Sequence, residues 1–143
     1  MDNSTNSIRW KQRYNNYAAM LKILADSFSH NSVQEYSELE QIGLAKSFEL
    51  SFALMWKLLK DYMEYEGVEI GLLSPKNVLK TAATCGLLVE IDADGDVLMA
   101  AHKSRNELMG ICNGPVFDKI LLDIGIHYLP QMQKLENFFA SQG

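Results

Sequence analysis

Arg105-Asn106 is the pair best suited to holding an anion in this chain. Arginine stays charged at ordinary pH and offers a planar fork to a carboxylate or a phosphate. Ala100-Ala101 and Leu108-Met109 give the pair partly buried flanks. Glu49 is the natural counter-charge, because it lies inside the most apolar stretch, between Phe48 and Leu50. An unpaired charge buried there would cost several kcal/mol. Two arrangements fit: Glu49 points outward past Lys46 or Ala53, or it turns inward and meets a cation from another helix. Arg105 is then either the structural partner of Glu49 or a ligand contact. His102, three residues before Arg105, would stand on the same side of a helix and could reach a shared phosphate.

Other constellations carry less. Asp92-Ala93-Asp94-Gly95-Asp96 opens like a calcium loop. Its glycine comes at the fourth position rather than the sixth, and Lys103 stands where a bidentate glutamate is needed. We read it as an acidic turn whose last aspartate caps a helix. Glu64, Glu66 and Glu69 read as a solvated acidic face. His30, His102 and His127 are far apart, and there is no phosphate loop, HExxH, GxSxG or Cys/His cluster. No metal, no cofactor and no catalytic residue is expected. Cys85 and Cys112 form no CxxC pair and read as reduced, semi-buried thiols. With 13 basic against 18 acidic side chains, the net charge of −5 argues against broad binding to nucleic acid.

These residues need a scaffold. The length of 143 residues fits one domain, and 48% hydrophobic with 22% charged residues is a globular composition. We expect a single domain over residues 1–143, with residues 1–7 disordered. Trp10, Tyr14, Tyr17, Leu21, Leu24 and Phe28 recur at helical spacing, and Ser29-His30-Asn31-Ser32 ends the pattern. A long second helix should run from about Val33 to about Tyr65, loosened at Gly43. Ser74-Pro75 suits a helix start, and Gly86 suits its end. Gly86 to Ile91 is the one β-like run and reads as a connector. A fourth helix should cover about Val97 to Cys112. A fifth begins near Pro115, and Gly125 and Pro130 kink or divide it. The expected fold is all-α, an up-and-down antiparallel bundle of about five helices. Met1 to Ser7 is polar, so no signal peptide is expected. Phe48 to Leu59 carries Glu49 and Lys57 and falls short of the ~20 apolar residues of a membrane span. A cytoplasmic protein follows.

The order of the motifs carries a resemblance. Phe48-Glu49, Phe52, Trp56-Lys57 and Lys60-Asp61-Tyr62 resemble an FE…F…WK…KDY signature, and Tyr65-Glu66-Gly67 follows as YEG. Ser74-Pro75-Lys76-Asn77-Val78-Leu79-Lys80 is similar to the helix start of the same family, Arg105-Asn106 to its RN, and Arg9-Trp10-Lys11-Gln12-Arg13 to its opening. The family is the nucleotidyltransferase substrate-binding proteins, related to the HEPN ribonuclease toxins. The resemblance implies a cytosolic helical bundle that forms a homodimer and works beside a minimal nucleotidyltransferase subunit. The six Phe, six Tyr and two Trp would fit a cleft between the long helices of two copies.

Active relatives place a histidine five residues after the arginine, and often a tyrosine two further on. Here those positions are Gly110 and Cys112. Glycine can neither take nor give the proton that RNA cleavage needs. The implied function is that of a non-catalytic accessory protein that binds the nucleotidyltransferase and helps bind its nucleotide, RNA or other substrate. Arg105, Asn106, Glu49 and His102 are the expected contacts. The alternative is a ribonuclease toxin with His102 as substitute base.

Overall fold

A computed structural model describes residues 3–142. Helix α1 spans Asn3–His30, so Asn3 to Ser7, expected to be disordered, is helical; Met1 and Asp2 lie outside the described residues. Helix α2 spans Glu38–Tyr65. It starts later than the apolar spacing suggested, because Ser37 and Glu40 form a reciprocal cap: Glu40 N donates to Ser37 Oγ at 3.1 Å and Ser37 N to Glu40 Oε1 at 2.9 Å. Val33–Glu35 is a separate 3₁₀ turn with Val33 buried.

Helix α3, Pro75–Thr84, begins at the expected Ser74 cap. The run read as a connector contains a short helix α4, Leu87–Ile91, set between left-handed residues Gly86 and Asp92. Helix α5 covers Gly95–Leu108, ending before the expected Cys112. Its cap is Asp94 rather than Asp96: Asp94 Oδ1 accepts from the amides of Asp96 and Val97. Helix α6, Pro115–Asp123, passes through a π turn, Ile124–Tyr128, into α7, Leu129–Ala140. Pro130 has no N–H for the preceding turn, and the widened turn absorbs that loss without breaking the helix. Counting Pro115–Ala140 as one run, six helices and no strand occur among the described residues. The all-α bundle is therefore as expected, with α4 as the added helix. None of these helices is long and apolar enough to cross a membrane.

The two long helices pack along their length as an antiparallel hairpin. Tyr36 Oη donates to Ser27 O near the turn, and Arg13 Nε donates to Asp61 Oδ2 at 3.0 Å toward the far end. α7 closes against this hairpin: Tyr17 Oη donates to Met132 O at 2.6 Å, and Trp10 meets Tyr62 edge-on and Phe139 at a tilt. Trp10, Tyr17, Phe48, Phe52, Tyr62, Phe117, Tyr128 and Phe139 are all buried. Eight of the fourteen aromatic residues thus fill this chain's own core. Both cysteines are exposed, not semi-buried.

Among the described residues, one charge is fully buried. Asp61 is paired with Arg13 at 3.0 Å and with Lys60 at 3.2 Å, while Lys60 also reaches Glu64 at 3.5 Å. Removing one member of a fully buried pair costs roughly 3–5 kcal/mol. Arg13 is 30% exposed and can recover part of its hydration, so Asp61→Ala is expected to cost about 2–3 kcal/mol. Two glycines should respond with opposite signs. A Cβ on Gly43 meets nothing within 4 Å, so Gly43→Ala should stabilise by up to about 1 kcal/mol. A Cβ on Gly125 would sit 2.7 Å from Phe28 Cδ1, so Gly125→Ala should destabilise by about 1–3 kcal/mol. Urea titration of the three variants measures all of these.

Candidate functional site

Four sequence-predicted residues meet where α5 crosses the middle of α2. Phe52 supplies the floor. It is fully buried one turn after Glu49 on α2. The His102 ring stacks on it, with centroids 5.9 Å apart and planes 24° from parallel. The Arg105 guanidinium carbon also lies 5.9 Å from the Phe52 centroid. His102 and Arg105 are three residues apart on α5, so one face of the helix delivers both to the same ring. An arginine over an aromatic face gains roughly 0.5–2 kcal/mol, depending on how dry the contact is.

Arg105 and Glu49 do meet, but not as an ion pair. Arg105 Nε donates to the main-chain oxygen of Glu49 at 3.1 Å, and no ion pair joins the Glu49 carboxylate to Arg105 among the described residues. A helical carbonyl has two lone pairs, so it can accept this bond besides its own helical one. Glu49 is half-buried, and it meets Arg105 through its main-chain oxygen, with no ion pair to its carboxylate among the described residues. Asn106 is exposed, with Nδ2 3.5 Å from His102 Nε2, at the outer limit of a hydrogen bond.

The far side of α5 is tied as well. Ser104 Oγ and Tyr128 Oη share a hydrogen bond of 2.8 Å, and Tyr128 stacks on Phe48 at 5.8 Å. Phe48 in turn lies 6.3 Å from Phe52. A row of aromatic rings therefore links the π turn to the site. Gly110 and Cys112, the positions of the absent histidine and tyrosine, lie exposed beyond the end of α5. No group of three His, Cys, Asp or Glu residues suited to a metal occurs among the described residues.

Two participants escaped sequence reasoning. Phe52 reads as core by its spacing, and core it is; only the approach of α5 makes its ring a platform. Lys76 reads as part of a helix start, yet its charge acts on His102.

His102 is held below the ordinary histidine value of 6.5, first by burial, then by the charges of Arg105 and Lys76. The unfolded chain therefore binds this proton more readily than the folded chain. Folding stability due to His102 is full above pH 6.5 and declines as the pH falls through that value toward the folded pKa. An NMR titration of the His102 imidazole should give a midpoint below 6.5, and Lys76→Gln should move it upward.

No curated protein matches the chain. The model of the family described as nucleotidyltransferase substrate binding protein like matches residues 12–141. That span takes in the Arg13–Asp61 pair, the cap at Ser74 and the whole Phe52 site, and the chain belongs to this nucleotidyltransferase substrate-binding family.

Proposed function

We propose that this chain is a non-catalytic accessory protein of the cytoplasm that docks a minimal nucleotidyltransferase subunit and helps hold the substrate of that enzyme. Arg105 carries the reading. It uses only Nε on the protein, and its terminal nitrogens have no hydrogen-bond partner among the described residues. An arginine pinned by one nitrogen and stacked on a ring keeps its fork oriented, so little entropy is lost when a substrate takes it. Asn106 and His102 offer polar contacts beside it, and the Glu49 carbonyl orients the guanidinium. A homodimer is part of the same reading. Its support is that Leu50, next to Glu49 in sequence, and Met109, one turn beyond Arg105, are both exposed apolar side chains.

The ribonuclease reading lacks a base. General acid–base help contributes about 10²–10⁴-fold in rate and needs a titratable group at the reacting proton. Gly110 supplies none, and a Cβ there would meet nothing within 4 Å. Arg105 is a poor base. His102 is stacked on Phe52 with Nδ1 buried and without a hydrogen-bond partner, so no carboxylate or carbonyl orients it as a base.

Co-expression with a minimal nucleotidyltransferase subunit, taken from the same genome where one is encoded, followed by size-exclusion chromatography with light scattering, tests the docking. Co-elution of a complex containing two copies of this chain is expected, and separate elution overturns it. Incubation of the purified chain with RNA should leave the RNA intact. Robust cleavage that His102→Ala abolishes would make the chain an enzyme.

A further inference from the structure

His102 occupies a position that suits a neutral imidazole and not a charged one. Phe52 is fully enclosed, and the half-buried His102 and Arg105 are both set against its ring. The imidazole lies nearly parallel to that ring, at 24°, with centroids 5.9 Å apart. A protonated imidazole carries an N–H donor at both nitrogens. Neither nitrogen has an acceptor in place. Nδ1 is buried without a partner, and Nε2 faces Asn106 Nδ2, itself a donor, at 3.5 Å. So whichever nitrogen is bare, the added proton meets no acceptor. A buried donor without one loses its hydration and regains nothing. The proton would also put a second cation on the ring that the Arg105 guanidinium already uses.

The elements packed against α5 do not relieve this charge. On α2, Glu49 meets Arg105 through its main-chain oxygen, and its carboxylate makes no ion pair with Arg105 or His102 among the described residues. On α3, Lys76 is a further cation, and its charge opposes a proton on His102. From the π turn, the Tyr128 hydroxyl is taken by Ser104. On α6, Lys119 and Asp123 pair with each other at 2.8 Å. They line a groove with Asp96, Val97 and Ala100, which helical spacing puts on the opposite side of α5 from His102.

We propose that His102 is a positioning residue for Arg105 and makes that positioning depend on pH: the neutral imidazole closes over Phe52 beside the guanidinium, and the imidazolium turns out to solvent. The proton comes from solvent and returns to it. With the imidazole turned out, water reaches Phe52 and competes for the Glu49 carbonyl that holds Arg105 Nε. Burial and the neighbouring cations hold His102 below the ordinary 6.5. The closed form therefore dominates at neutral pH and gives way as the pH falls through the folded value. For its use the proposal rests on the substrate-holding role above: the fork of Arg105 is set at neutral pH and slack in acid.

The test is an NMR titration of the full chain from about pH 8 to about pH 5, the range in which histidine changes charge. It follows the His102 imidazole, the Arg105 side chain and, as a monitor of the core, the indole of buried Trp10. The Arg105 signals, displaced by the Phe52 ring, should move to the values of a free arginine with the same midpoint as His102, while Trp10 stays constant. His102→Phe keeps a ring against Phe52 and takes no proton, so its Arg105 signals should not move. Arg105→Gln should raise the His102 midpoint, because the coupling is reciprocal. Arg105 signals that ignore the His102 titration overturn the proposal, and the wild-type protein alone decides this. The same drift in His102→Phe overturns it too, as does a Trp10 signal that collapses at the same midpoint, the mark of global unfolding. Docking is read separately: a chain that co-elutes with the nucleotidyltransferase but whose Arg105 ignores pH refutes the His102 device alone.

Discussion

The burial of Phe52 on α2 is the constraint on which the site depends. Its ring is fully enclosed, yet one face of α5 sets both an imidazole and a guanidinium against it. Neither group could hold its place through charge alone, because exposed ion pairs contribute little and cost side-chain freedom. An aromatic floor positions them by contact instead. The same crossing brings Arg105 Nε to the Glu49 carbonyl, a main-chain group that α2 holds rigidly. The orientation of the arginine therefore follows from the packing of two helices and needs no acidic partner.

That packing is itself fixed from behind. Tyr128 bonds Ser104 on α5 and stacks on Phe48 of α2, so one side chain from the π turn holds both helices of the site. The turn exists because Pro130 cannot donate to a regular helical ladder. The neighbouring Gly125 admits Phe28 where any Cβ would collide with it. A local backbone irregularity some distance from Arg105 thus contributes to the geometry of the site.

Two acids on α2 show how burial separates residues of the same chemistry. Glu49, flanked by Phe48 and Leu50, has the apolar surroundings that suggest a buried carboxylate. Asp61, in the polar-looking Lys60-Asp61-Tyr62, is the one that is buried, with Arg13 and Lys60 upon it. They lie about 18 Å apart along the helix axis. Neighbours in sequence project around a helix in different directions, so they report little about the face a given residue occupies. What counts is the partner element, and at Asp61 that is α1.

The sequence by itself determined the helical class, because the spacing of apolar residues from Trp10 onward and the cap signals at Ser74-Pro75 are local properties of the chain. It determined the family too, since motifs in a fixed order survive as text. It also located Arg105, Asn106, His102 and Glu49 as neighbours of interest. Tertiary structure alone decided how they meet: the carbonyl of Glu49 rather than its carboxylate, and Phe52 as a floor rather than mere core. It also decided the start of α2, where the reciprocal bonds of Ser37 and Glu40 prevail over apolar spacing that runs back to Val33. The physical reason is common to all of these. A periodic pattern specifies which side of one helix is apolar, but the angle and register at which two helices cross come from the packing of side chains far apart in sequence.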